Sequence, residues 1–129
     1  MNTSIPLIAV VDDEESIRKA LERLLRAAGL SAKTFPDGGE FLHFLQTVRP
    51  DCVVLDLHMP GANGFVVLEQ MAKAGFSLPV IVITGDESEE TQARVMQSGV
   101  KFCLQKPVDG QLLLDAIAPA IQAAAQGAP

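Results

Sequence analysis

Three short apolar runs, Leu7–Val11, Cys52–Leu55 and Val80–Ile83, are bounded by polar or turn residues and are rich in Val, Ile or Leu. That pattern fits strands buried on both faces, as at the centre of a parallel sheet. Two weaker runs, Ser31–Phe35 between Gly29 and Pro36 and Lys101–Gln105 between Gly99 and Pro107, predict strands toward the sheet edges. Between the runs the apolar period becomes helical. Over Ser16–Ala28, Ile17, Leu21, Leu24 and Leu25 share one face, the polar face carries Arg18, Lys19, Glu22, Arg23 and Arg26, and Gly29 is the stop. Further helices are expected over Gly39–Gln46, Gly64–Ala74, Glu87–Ser98 and Gly110–Ala118. Pro119 should kink or end the last of them, leaving the Ala-rich tail to Pro129 as a shorter continuation. Strands and helices alternating five times predict an α/β fold with helices on both faces of a parallel sheet.

Composition narrows the class. With 129 residues and 48% apolar composition, the chain has the length and core of one domain spanning 1–129. The net charge of −6, from 16 acidic against 10 basic residues without a Lys/Arg cluster, argues against direct binding of nucleic acid or an anionic membrane. The first apolar run ends at Asp12-Asp13-Glu14-Glu15, so it reads as neither a signal peptide nor a membrane span, and a cytoplasmic location is expected. Cys52 and Cys103 sit in apolar runs without metal-ligand spacing, and no disulfide is expected.

In an open parallel sheet, ligands bind beyond the carboxyl ends of the strands, so the residues that close each run matter most. The first strand delivers Asp12 and Asp13, the third Asp56, the fourth Thr84, and the fifth leads to Lys106. Singly, each has an ordinary explanation: a helix N-cap for either Asp of the pair, a strand-end residue for Thr84, a solvated side chain for Lys106. Together they place three carboxylates, a hydroxyl and an ammonium at one edge. Grouped carboxylates repel, and a hard divalent cation relieves the repulsion. Mg²⁺ fits best, because it binds through one or two carboxylates and keeps positions open for water and phosphate oxygens. A carboxylate can act as a nucleophile and form an acyl phosphate. The metal, Lys106 and Thr84 would then stabilise charge on the transferred group.

At these residues the chain resembles the receiver (CheY-like) domain of bacterial two-component response regulators, over nearly its whole length. The matching motifs are Asp12-Asp13, Asp56 in Leu55-Asp56-Leu57-His58-Met59-Pro60-Gly61, Thr84 in Ile83-Thr84-Gly85, and Lys106-Pro107. The resemblance implies a flavodoxin-like, doubly wound sheet of strand order 2-1-3-4-5, with a cis Lys106-Pro107 bond. It implies a signalling phosphoacceptor rather than an enzyme, in which Asp56 takes a phosphoryl group from a sensor histidine kinase or phosphotransfer protein. It further implies Mg²⁺ coordination by Asp13, Asp56 and the backbone carbonyl of His58, with Asp12 acting through water. The readout surface would be the fourth helix, fifth strand and fifth helix, where Val100, Leu104, Leu112 and Ala116 would serve homodimerisation or contact with an output domain or effector. In this strand order Cys52 and Cys103 are separated by the fourth strand, about 10 Å apart, too far to bridge.

The family usually carries Tyr or Phe three residues before the Lys, where this chain has Cys103, and strand alternation points the adjacent Phe102 to the opposite side. Movement of Thr84 is therefore expected to be read through the Glu87–Ser98 helix alone. The alternative that Cys103 keeps open is a phosphorylation-independent pseudo-receiver acting only as a protein-interaction module. A nucleotide binder on the same architecture needs a phosphate-cradling loop where this chain places four acids. An aspartyl phosphatase or phosphotransferase typically has a second Asp two residues after the nucleophile, where His58 stands. His58 and Asp86 read either as a loop histidine and a helix N-cap or as a pair facing each other at the mouth of the site that modulates how fast the acyl phosphate hydrolyses. His43 belongs to the polar face of its helix and is given no function.

Overall fold

The sheet assembles in the order β2-β1-β3-β4-β5, with every pairing parallel. Its strands are β1 (Leu7–Val11), β2 (Ser31–Phe35), β3 (Cys52–Asp56), β4 (Val80–Thr84) and β5 (Phe102–Gln105). The helices are α1 (Glu15–Ala27), α2 (Gly38–Phe44), α3 (Gly64–Lys73), α4 (Glu89–Gln97) and α5 (Gly110–Gly127). This computed structural model describes residues 5–59, 63–86 and 88–127. Pro60 and Gly61 of the motif after Asp56, Glu87 at the expected start of the fourth helix, and the tail end at 128–129 lie outside the described residues. The flavodoxin-like strand order and the alternation of elements are as the sequence predicts, with the weaker strands β2 and β5 at the edges.

Period-two alternation sends successive strand residues to opposite faces. Ile8, Val10, Cys52, Val54, Ile81 and Ile83 meet Leu21 and Leu25 of α1 and Leu113 and Ile117 of α5. Ala9, Val11, Val53 and Leu55 meet Phe41 of α2 and Val67 and Met71 of α3. A smaller cluster of Leu57, Val82 and Val95 seats α4, and Cys103 packs against it while Phe102 packs on the α1/α5 side. The two neighbours on β5 thus point to opposite faces, as alternation requires.

Local chemistry sets the helix ends. Asp37, Asn63 and Ser88 cap α2, α3 and α4 by accepting from the backbone N–H of Glu40, Val66 and Thr91. Gly29, with φ 85°, lets the chain leave α1 through the left-handed region.

Two expectations are corrected. Pro119 does not end the last helix, since α5 continues through it to Gly127. The proline costs a backbone donor, but buried Ile117 and Ala120 flank it and Ile121 packs against the same core, so tertiary contact carries the helix onward. Ala116 is not part of a docking surface: it is buried in the core beside Leu113 and Ile117. Leu112, in contrast, is exposed.

Candidate functional site

The hydrogen-bond ladder of the sheet runs one residue past the strands and thereby fixes the chemistry-bearing positions. The N–H of Asp12 donates to the Phe35 carbonyl (3.1 Å), that of Leu57 to Ile83 (3.1 Å), and that of Lys106 to Thr84 (2.8 Å). Gly64 brings α3 against the end of β3 so closely that a Cβ there would lie 2.8 Å from the Asp56 carbonyl oxygen and 2.8 Å from Leu57 Cα. The Lys106–Pro107 bond is cis.

Asp12, Asp56 and Thr84 are buried at this edge, whereas Asp13 is exposed beside them. Carboxylate oxygens of Asp12, Asp13 and Asp56 lie within 4.8 Å of one another. Lys106 Nζ is 3.2 Å from Asp56 Oδ2, 3.2 Å from Asp12 Oδ2 and 3.5 Å from Glu14 Oε1. The backbone N–H of His58 donates to Asp56 Oδ1 (3.1 Å), and that of Glu14 donates to Asp12 Oδ1 (2.9 Å). Thr84 stands one residue beyond Ile83, the register partner of Asp56. Neither residue of the Asp12-Asp13 pair is the N-cap of α1, which is Glu14.

Burial dominates the electrostatics. Desolvation pushes the Asp56 carboxyl above its ordinary range; the His58 N–H opposes this, Asp12 adds to it, and Lys106 opposes it. Desolvation raises Asp12 in the same way, against the Glu14 N–H and Lys106. For Lys106, desolvation alone would lower the value, but Asp12 and Asp56 together raise it, so the ammonium stays charged.

The donor set fits a hard divalent cation. Asp12 Oδ2 is buried without a hydrogen-bond partner, since the Lys106 ammonium approaches it at 3.2 Å but out of line. Of the three clustered carboxylates, Asp12 and Asp56 share the Lys106 ammonium, and oxygen-only donors of this kind suit Mg²⁺.

The structure therefore brings Asp12, Asp13, Asp56 and Lys106 into one cluster, with Thr84 at the adjoining strand end and the His58 peptide against Asp56. The family model for the response regulator receiver domain matches residues 8–118. The chain belongs to this family. As a receiver domain of response regulators it is a part of two-component signalling. Over 100 residues it is 41% identical to the DNA-binding transcriptional regulator NtrC of Klebsiella pneumoniae, covering 78% of this chain and 21% of that protein. A response regulator receiver protein from Burkholderia phymatum shares 37% identity at a TM-score of 0.80, covering 91% of this chain and 95% of that one. A CheY-like receiver domain protein from Methanospirillum hungatei JF-1 has the same fold, with a TM-score of 0.90 at 23% identity, covering 97% of this chain and 100% of that one. The chain spans 21% and 51% of the length of two of its curated relatives. No helix among the described residues is long and apolar enough to cross a membrane.

Three participants escaped the reading of the sequence. Glu14 registers there only as one acid of a run, yet it reaches the Lys106 ammonium. Arg18 reads as helix surface, yet its Nη1 donates to the Asp12 carbonyl (2.8 Å) and ties α1 to the end of β1. Thr91 gives no signal at all, yet its hydroxyl donates to Asp86 Oδ2 (2.6 Å). The His58–Asp86 pairing is present, with Nε2 and Oδ2 3.8 Å apart and both side chains partly exposed.

Proposed function

We propose that the chain, as one receiver domain, is a phosphorylation-dependent switch in which Asp56 accepts a phosphoryl group from the phosphohistidine of a sensor kinase or phosphotransfer protein. The observation that carries this reading is the buried Asp56 carboxylate, held by the His58 N–H on one oxygen and by the Lys106 ammonium on the other. Those two contacts fix the orientation of the carboxylate for attack. An Asp56 oxygen forms the O–P bond as the donor's N–P bond breaks, and the departing nitrogen takes up a proton from water. Lys106, bonded to Asp56, and the Thr84 hydroxyl at the adjacent strand end are placed to receive charge on the phosphoryl oxygens. Asp13, Asp56 and the His58 carbonyl would hold Mg²⁺, with Asp12 acting through water; the bound ion would offset the charge of the carboxylates and the incoming phosphoryl oxygens.

On this reading the domain acts in the cytoplasm, assists its own phosphoryl transfer and hydrolysis, and presents α4, β5 and α5 to a second copy, an output domain or an effector. Exposed Leu112 and Met96 lie on those helices. The test is incubation of the purified domain with acetyl phosphate or phosphoramidate, with and without Mg²⁺, followed by intact mass of wild type and Asp56→Asn. A Mg²⁺-dependent gain of one phosphoryl group, absent from the variant, is expected. A folded, Mg²⁺-binding protein that gains nothing from either donor would establish the pseudo-receiver instead.

A further inference from the structure

The polar groups behind Thr84 form a continuous chain into α4. The Thr84 hydroxyl is buried, and its oxygen accepts from the backbone N–H of Asp86 (3.0 Å). A hydroxyl has one proton and two lone pairs, so this bond uses acceptor capacity and leaves the proton available to an incoming oxygen. The Asp86 carboxylate continues the chain: Oδ1 accepts from the N–H of Ser88 (2.8 Å), and Oδ2 accepts from the Thr91 hydroxyl (2.6 Å). Ser88 in turn caps α4 by accepting from the N–H of Thr91 (3.2 Å). The bond from Thr91 has the length of a charge-assisted contact to an ionised carboxylate.

The grip of α4 on the rest of the fold makes this chain consequential. Its buried side chains are Thr91 and Val95, whereas α3 sinks Gly64, Val67 and Met71. Val95 joins the smallest of the core clusters, with Leu57 and Val82. Val95 and the Arg94 guanidinium, 3.9 Å over the Phe65 ring, seat the body of α4, while its first turn is held through Thr91 and follows the anchor of that hydroxyl when the anchor moves. Asp86 is the anchor, and its own backbone is bonded to the hydroxyl at the site.

We infer that Asp86 is a positioning residue that transmits the state of Thr84 to α4: its N–H orients the Thr84 hydroxyl, and its carboxylate carries any displacement of that hydroxyl into the first turn of α4 through Thr91 and Ser88. The inference rests on the proposed phosphorylation of Asp56. It assigns the link to a named bond, Thr91 to Asp86, which can be removed without touching the nucleophile, the lysine or the carboxylates that would hold the metal.

The test uses the intact chain as wild type, Thr91→Val and Thr91→Ser. Valine is close to isosteric and deletes only the hydroxyl, and serine keeps it. Each protein is treated with phosphoramidate and Mg²⁺, its phosphoryl content is read by intact mass, and the backbone amide shifts of Glu89–Gln97 are recorded before and after by ¹H–¹⁵N NMR, with thermal melting to confirm folding. Equal phosphoryl content in all three is expected, with large α4 shifts in wild type and Thr91→Ser, reduced at least threefold in Thr91→Val. Asp86→Ala, which removes both carboxylate bonds, should show the same loss and covers the case in which Thr91→Val does not fold. Wild-type α4 shifts in a phosphorylated, folded Thr91→Val or Asp86→Ala overturn the coupling alone. A phosphorylated wild type whose α4 amides do not shift also overturns it. Absence of phosphoryl gain in wild type overturns the functional reading and the coupling with it.

Discussion

Lys106 Nζ lies 3.2 Å from Asp56 Oδ2, across fifty residues of sequence. The same nitrogen is 3.2 Å from Asp12 Oδ2, and its side chain is only 18% exposed. One ammonium therefore answers two buried carboxylates, and deleting it leaves both without their counter-charge. Lys106→Met is expected to lower stability in EDTA by about 3 kcal/mol, the lower end of the cost of orphaning a buried charge. Because a cation that binds only the folded state stabilises it by mass action, millimolar Mg²⁺ should recover most of the loss. Urea denaturation of the variant with and without Mg²⁺ measures both effects, and phosphoryl gain from acetyl phosphate should slow at least tenfold.

Asp12 and Asp56 bear on stability against pH in a defined direction. Burial raises both above the ordinary carboxyl value of 3.8, so each contributes stability that is fully present below that value and is lost as pH rises through the folded-state value. At neutral pH without divalent cation, the ionised carboxylates therefore count against the fold. Asp12→Asn should melt a few degrees higher than wild type in EDTA at pH 7. The difference should shrink as pH falls through the folded-state value and be smallest below 3.8, where wild-type Asp12 is protonated in both states. Melting curves from pH 7 to pH 4 follow this directly, and a variant less stable than wild type at pH 7 would contradict it.

Which parts of this molecule were legible in the sequence follows from the range of each interaction. Apolar runs such as Val80–Ile83 expose their strand character locally, and Asp12, Asp56, Thr84 and Lys106 could be grouped because strand ends in a parallel sheet converge. The local penalty of Pro119, which argues for a kink or an end, is visible in sequence, whereas the packing of Ile117, Ala120 and Ile121 that carries α5 on to Gly127 is not. Ala116 was misplaced for a related reason: an alanine is apolar enough for either side of a helix, and only the register against Leu113 and Ile117 decides. Arg18 and Thr91 were invisible because each acts through one hydrogen bond to a partner on another turn of chain.

Gly64 is where α3 comes against the end of β3, the strand that carries Asp56. A Cβ there would sit 2.8 Å from backbone atoms of Asp56 and Leu57, which cannot yield as a flexible side chain would. Gly64→Ala must displace either α3 or the end of β3. The expected loss is about 1–3 kcal/mol, typical of overpacking, with slower phosphoryl gain because the shift moves Asp56. If the urea midpoint were unchanged, the close packing of α3 on β3 would not be a constraint.

Pro119 is exposed within α5 and flanked by residues that hold the helix in place. Proline in a helix interior forgoes one backbone hydrogen bond and crowds the carbonyl four residues earlier, here that of Asp115, at a cost near 3 kcal/mol relative to alanine in a regular helix. Since α5 already runs through this position, Pro119→Ala requires no rearrangement of the core around Ile117 and Ala120. The variant should therefore be more stable, by about 1–2 kcal/mol, less than the full regular-helix value because the packing of Ile117, Ala120 and Ile121 already holds the helix in place around the proline. The gain should appear as a higher urea midpoint at unchanged slope, together with slower amide exchange in the turn around Asp115–Pro119. Both changes should leave phosphoryl gain at Asp56 as in wild type, since position 119 lies well along α5 from the Asp109–Gly110 start that follows Lys106. A lower midpoint would mean that the helix is bent at Pro119 to fit the sheet, so that straightening it strains the packing of Ala120 and Ile121.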